Sequence, residues 1–284
     1  MTQALRFIIS IVALATLLLS SGCAVNITTE NFLHQQDTAE ALKPGEMRDA
    51  LNEELTAYTL ETTSITTPDG VRLEGVRFMQ EGAIANLVFF GGNGMTIASS
   101  HTILKRFAQI PVNVTWFDYR GSGASEKDGA LAIDQLKNDA VVVLESVRAT
   151  SGDELPLVIH GMSMGSLVAS HVATQRDIDG LVLDSAITTV PALVENMTPF
   201  FASATVQPEL ARINNMELLE NYRGPLMLIV GDEDDITPVD FSRTLLETAA
   251  SEQKKLVVIP GREHAYGIKS DKAIKEYRVF IESL

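Results

Sequence analysis

The chain has 284 residues, 45% hydrophobic and 21% charged, a balance that excludes wholesale disorder and suffices for a large buried core. Its 22 basic and 37 acidic residues give a net charge of −15, and no run of four or more Lys or Arg occurs, so a nucleic-acid partner is excluded. The single cysteine excludes an internal disulfide, a Cys-based structural zinc site and a CxxC redox pair, and nothing calls for a metal or a cofactor.

Residues 1–22 read as a signal peptide. Met1 to Arg6 carries one positive charge, and Phe7 to Leu19 is an unbroken apolar or small run of 13 residues (19 − 7 + 1). A membrane span needs about 20 such residues, whereas the h-region of a secretory signal needs about 7–15. The Ser20-Ser21-Gly22-Cys23 that follows resembles a bacterial lipoprotein box, with Leu19 one place earlier than that box has its Leu. The resemblance implies lipidation of Cys23 after cleavage. Ala24 next to it implies the outer membrane, the protein facing the periplasm. The competing reading is an ordinary signal or uncleaved anchor with an incidental cysteine. Loss of residues 1–22 removes Arg6 and no acid, leaving 21 − 37 = −16. The stretch 23–59 then reads as lipid-attachment site and polar tether, with a short amphipathic helix expected at Glu46 to Leu55 and His34 solvated.

From about Leu60 the pattern becomes regular. Thr62 to Thr67, the turn Pro68-Asp69-Gly70 and Val71 to Val76 read as a hairpin. Short continuous apolar runs follow at Ala85–Phe90, Val112–Phe117, Pro156–Ile159, Leu181–Leu183, Leu226–Val230 and Leu256–Ile259, as expected of parallel strands buried on both faces. Helical stretches alternate with them at Ile97–Ile110, Leu131–Thr150, Met164–Arg176, Val239–Ser251 and Ala265–Ser283. The expectation is a doubly wound α/β fold over 60–284, with eight strands, mostly parallel, and helices on both faces. In such sheets ligands bind beyond the carboxyl ends of the strands.

Three strand ends carry chemistry. After Leu157–His160 comes Gly161-Met162-Ser163-Met164-Gly165 and then a helix: G-x-S-x-G in the strand–turn–helix setting of a nucleophile elbow. The sharp turn exposes the serine hydroxyl, and the glycines let strand and helix approach. A serine hydroxyl needs a base, and the base an orienting acid. The turn Gly231-Asp232-Glu233-Asp234-Asp235 supplies acids, and Arg262-Glu263-His264 supplies a base. Of the five histidines only His264 follows the last strand. His34 belongs to the tether, His101 to a helix surface or packing, His160 to the core and His171 to the elbow helix.

On these motifs the chain resembles the α/β-hydrolase superfamily, most of all its serine aminopeptidase-like and small-lid esterase members, from about Leu60 onward. The matching pieces are Gly91-Gly92-Asn93-Gly94, Asp118-Tyr119-Arg120-Gly121-Ser122-Gly123, the elbow, the acidic turn ending in Pro238, and Gly261 to Gly267. The resemblance implies Ser163 as nucleophile and His264 as base. The family's G-x-x-D-x-x-V-P spacing points to Asp234 as the acid over its rival Asp235, with Asp184 a weaker candidate. It also implies an oxyanion hole from the N–H groups of Met164 and Asn93, although Gly91 stands where the family often has His. Asp118 and Arg120 read as loop-bracing residues, an ion pair being the commoner role. The insert 186–224 corresponds to a small helical lid, in which Met197, Phe200 and Phe201 either line an acyl pocket or cover the lid's underside. The implied activity is hydrolysis of short to medium acyl esters through an acyl-enzyme. A peptidase or thioesterase with the same residues, and a non-catalytic binding lipoprotein, remain open.

Overall fold

The computed structural model describes residues 25–36, 39–55, 57–152 and 154–284; the expected signal segment and Cys23 lie outside the described residues. Eight strands form one sheet: β2 (Tyr58–Thr66), β3 (Arg72–Gln80), β4 (Ala85–Phe90), β5 (Val112–Phe117), β6 (Leu157–Met162), β7 (Gly180–Asp184), β9 (Leu226–Gly231) and β10 (Lys254–Ile259). Their order is β10-β9-β7-β6-β4-β5-β3-β2. The hairpin β2–β3 is antiparallel, β3 runs antiparallel to β5, and every other pair is parallel. The expected α/β-hydrolase architecture is therefore the observed one.

The parallel strands are continuous apolar runs because alternate residues face two different cores. In β4, Val88 and Phe90 join the core under the helices Ile133–Ser151 and Met164–Gln175 and the lid. Leu87 and Phe89 join the opposite core, with Phe107 and the helix Asp271–Glu282. In β9, Leu226 and Leu228 go one way and Met227 and Ile229 the other. β2 and β3 extend beyond the expected hairpin; their outer ends alternate the buried Leu60 and Phe78 with the exposed Glu61 and the half-buried Arg77 and Gln80, a pattern that hides the strands from a search for apolar runs. The expected helix Ile97–Ile110 is broken into Ile97–Ser100, a 3-10 turn His101–Ile103 and Leu104–Phe107. The expected helix from Ala265 begins only at Asp271, after the 3-10 turn Gly267–Lys269.

The segment read as a polar tether is packed against the domain. β1 (Val25–Ile27) pairs in parallel with β8 (Ala204–Val206), a strand of the lid. The helix Pro44–Asn52 buries Met47 and Leu51 in the second core. The lid itself, between β7 and β9, consists of the helix Val190–Met197, β8 and the short helices Pro208–Ala211 and Asn215–Leu219.

His160 on β6 is enclosed by Phe89, Phe107 and Tyr277, with Nδ1 3.2 Å from the Tyr277 hydroxyl. Burial pushes its pKa down to about 3. The unfolded chain takes up this proton below about pH 6.5, the folded chain only near pH 3, so this residue withdraws stability as pH falls through that window. Replacing it by His160→Phe is expected to shift the stability difference progressively in the variant's favour from pH 6.5 towards pH 3, measured by denaturant titration. A difference independent of pH contradicts the neutral buried histidine.

Helix and sheet meet most closely at Gly165, where a Cβ would lie 2.1 Å from the Phe90 carbonyl oxygen and 2.7 Å from that of Gly91. Both neighbours are backbone and cannot rotate away. Gly165→Ala is expected to cost about 3 kcal/mol, the upper end for overpacking, and thermal unfolding measures it.

Candidate active site

Ser163 sits between β6 and the helix Met164–Gln175 at φ 53, ψ −118, a conformation rare outside glycine. Its N–H is fixed by the Asp184 carbonyl at 2.8 Å. The close approach of Gly165 to β4 leaves the turn no slack, so the Ser163 side chain projects above the strand ends.

There it meets the histidine loop. The Ser163 Oγ lies 2.9 Å from His264 Nε2. On the other side of the ring, His264 Nδ1 lies 3.0 Å from both carboxylate oxygens of Asp234. Three elements distant in sequence, the ends of β6, β9 and β10, thus form one hydrogen-bonded chain. Asp235 is exposed and makes no such contact through its carboxylate; its carbonyl accepts from Asn196 Nδ2 at 2.7 Å. Asp234 is buried and further held by the N–H groups of Ile236 at 3.1 Å and Thr237 at 2.8 Å. Burial pushes its pKa up, but the hydrogen bond and charge of His264 and the bonds from Thr237 outweigh it, and the carboxyl ends below its usual value. It is therefore an anion, suited to stabilise a positive imidazole.

Two bracing residues carry almost no signal in the sequence. The Thr237 hydroxyl bridges Asp234 Oδ2 at 2.8 Å and His264 Nδ1 at 3.1 Å. Its position before Pro238 in the acid turn is the only sequence signal for it. Ser185, itself at φ 53, accepts from the N–H of Ala265 at 2.9 Å and so holds the histidine loop. Asp184 accepts from Ile268 N at 3.0 Å and is raised to about 7 by burial; it braces the turn after His264 rather than touching the imidazole.

The loop after β4 passes beside the serine: a Cβ at Gly92 would lie 3.6 Å from Ser163 Cβ. The Tyr119 hydroxyl donates to Gly91 O at 2.9 Å. The Asn93 side chain is gripped from outside the domain core. Its Oδ1 accepts from His34 N at 2.8 Å and its Nδ2 donates to Phe32 O at 2.6 Å. The N-terminal segment therefore fixes the loop that carries the expected oxyanion donor. Met164 opens the elbow helix and is buried.

Asp118 and Arg120 do brace loops, but not as a mutual ion pair. Asp118 accepts from Ile97 N at 2.8 Å and Ala124 N at 2.9 Å, and burial raises it to about 7. Arg120 instead bonds Asp139 through Nε at 2.6 Å and Asp69 through Nη1 at 2.8 Å, tying the hairpin turn to the helix Ile133–Ser151.

Phe200 and Phe201, expected either to line an acyl pocket or to cover the lid's underside, do neither. Phe200 is 99% and Phe201 62% exposed, at the tip of the lid and pointing into solvent. They line no pocket because the chain turns at Pro199–Ala202, carrying both rings away from the core. Met197 is half-buried and packs on the lid's inner side. A cavity of about 20 Å³ beside the elbow is lined by Phe32, Leu33, Met164, Leu167 and Ile213. Among the described residues no cluster of His, Cys, Asp and Glu could hold a metal, and no helix is long and apolar enough to cross a membrane.

The profile of the family described as serine aminopeptidase, S33 matches residues 82–216. An uncharacterised protein of Mycobacterium tuberculosis is 27% identical over 223 residues, covering 78% of this chain and 76% of its own. Among solved structures, the Pyrococcus furiosus esterase Pf2001 superposes with a TM-score of 0.70 at 18% identity, over 88% of this chain and 97% of that one. A soluble variant of monoglyceride lipase from Saccharomyces cerevisiae, solved with a substrate analogue, gives 0.61 at 16% identity, over 81% and 96%. Sheet order, elbow and these similarities agree: the chain has the α/β-hydrolase fold, and over residues 82–216 it is similar to the serine aminopeptidase, S33 family.

Proposed function

We propose that the protein is a serine hydrolase that cleaves carboxylic esters of short to medium acyl chains through an acyl-enzyme. The observation that carries this reading is the continuous hydrogen-bonded chain from Asp234 through His264 to Ser163 on a strained elbow. Ser163 Oγ attacks the acyl carbon while His264 Nε2 takes its proton. Asp234 stabilises the resulting imidazolium, and the N–H groups of Met164 and Asn93 hold the oxyanion. The tetrahedral intermediate expels the alcohol, which leaves with the proton from His264. Water, deprotonated by the same nitrogen, then releases the acid.

The cavity beside Met164 has room for about one water. An acyl chain therefore enters only when lining side chains such as Phe32 or Leu33 move aside. We further propose that Cys23 carries a lipid and holds the protein in the bacterial cell envelope, at the outer membrane facing the periplasm. The apolar run Phe7–Leu19 followed by Ser20–Cys23 supports this.

A fluorophosphonate probe is expected to label Ser163, as mapped by mass spectrometry, and His264→Ala is expected to abolish labelling and lower turnover at least about a hundredfold. A folded protein that resists the probe contradicts the serine-hydrolase reading. A second reading, a peptidase, is favoured by the serine aminopeptidase profile. Esters with short to medium acyl chains are expected to turn over faster than aminoacyl amides when both are assayed in one panel. The reverse order selects the peptidase.

A further inference from the structure

We propose that the lid tip, Phe200 and Phe201, docks into the surface of a lipid bilayer. The inference rests on the lipid-anchor reading of Cys23. Four large hydrophobic residues are exposed among the described residues: Ile84 at 39%, Val279 at 51%, and the adjacent Phe200 and Phe201 at 99% and 62%. The two phenylalanines sit at the apex of a turn closed by the Ala202 N–H on the Pro199 carbonyl at 2.8 Å. Their rings pack edge to face with centroids 5.3 Å apart. Two aromatic rings on a hydrogen-bonded turn form a preordered apolar wedge, and aromatic rings favour the membrane–water interface.

Two further observations identify the occupant as a bilayer. First, the chain that would bear the anchor enters at this point. Val25 donates its N–H to Ser203 O at 3.0 Å, and β1 pairs with β8 in the register Val25↔Ala204. Cys23 lies two residues before Val25, a reach of at most about 7 Å of extended chain. A lipid there enters the membrane beside the wedge. Second, the surface is uncharged in a strongly acidic chain. No charged residue occurs between Glu195 and Glu209, and none from Val25 to Thr29. With −16 on the mature chain (21 − 37), these uncharged segments can approach lipid without adding acidic charge at the contact.

Docking here also bears on the site. Asn196, at the base of the tip, donates through Nδ2 to the carbonyls of Asp235 at 2.7 Å and Ile236 at 3.1 Å, in the turn that carries Asp234. A membrane-held tip is thus linked directly to the acid turn.

The test uses the full-length, processed protein on phosphatidylcholine vesicles. The native Trp116 is buried at 1% exposure, so the fluorescence of F201W reports the tip against a constant background. The expected result is co-flotation with vesicles and quenching of the F201W indole by lipids brominated near the headgroup. Adding F200S to F201W is expected to reduce that quenching by about half or more while flotation persists. Flotation without quenching overturns the docking and leaves the anchor standing. An indole that is blue-shifted yet unquenched also overturns it, assigning the tip to a protein partner such as a second copy. Failure to float overturns the anchor reading and the docking together.

Discussion

The geometry of the site depends on one tight contact, the passage of the elbow helix across the end of β4. Gly165 lies so close to the Phe90 and Gly91 carbonyls that no side chain fits between. That contact forces Ser163 into positive φ and aims its hydroxyl upward. Backbone strain of this kind persists only where surrounding structure over-determines it. Here the Asp184 carbonyl, the sheet on both sides of β6 and the elbow helix all act together.

A second layer of constraint holds the histidine loop. Ser185 and Ala265, both at positive φ, are joined by a hydrogen bond from the Ala265 N–H, and Asp184 fixes the turn that follows. Thr237 then locks the acid to the imidazole. The result is a preorganised chain of polar groups in a largely buried setting, where each hydrogen bond is electrostatically stronger than in water. Arg120, buried between Asp139 and Asp69, secures the flank through charge-assisted bonds that satisfy its own burial.

The N-terminal segment joins two parts of the site. Between Val25 and Gln36 it pairs with the lid, grips the Asn93 side chain and meets the loop Gly121–Gly123. Any force on the chain upstream of Val25 therefore reaches both the lid and the loop beside Ser163.

The sheet, the elbow and the chain order of serine, acid and histidine are legible in the amino-acid order because they are local patterns: apolar runs between turns, a G-x-S-x-G after a strand, acids and a histidine after two later strands. The same order also carried the small lid, as an insert of the right length between two strands. Contacts between residues far apart in sequence emerge only once the chain is folded. The spacing of the acid turn points to Asp234 over Asp235, but the contact itself is tertiary: the turn aims the Asp234 carboxylate inward at His264 and leaves that of Asp235 exposed. Arg120 chose Asp139 and Asp69 over the nearby Asp118 because backbone N–H groups had already taken that carboxylate. Phe200 and Phe201 face solvent although an apolar run suggests a lining, because a tight turn reverses the chain there. The stretch before Leu60 was polar enough to read as a free tether, yet it docks, through backbone hydrogen bonds of β1 to the lid and through the burial of Ile27, Leu33, Met47 and Leu51. Backbone bonds are available to any sequence and leave no hydrophobic period to read, and the few apolar residues here are too widely spaced to announce their partners.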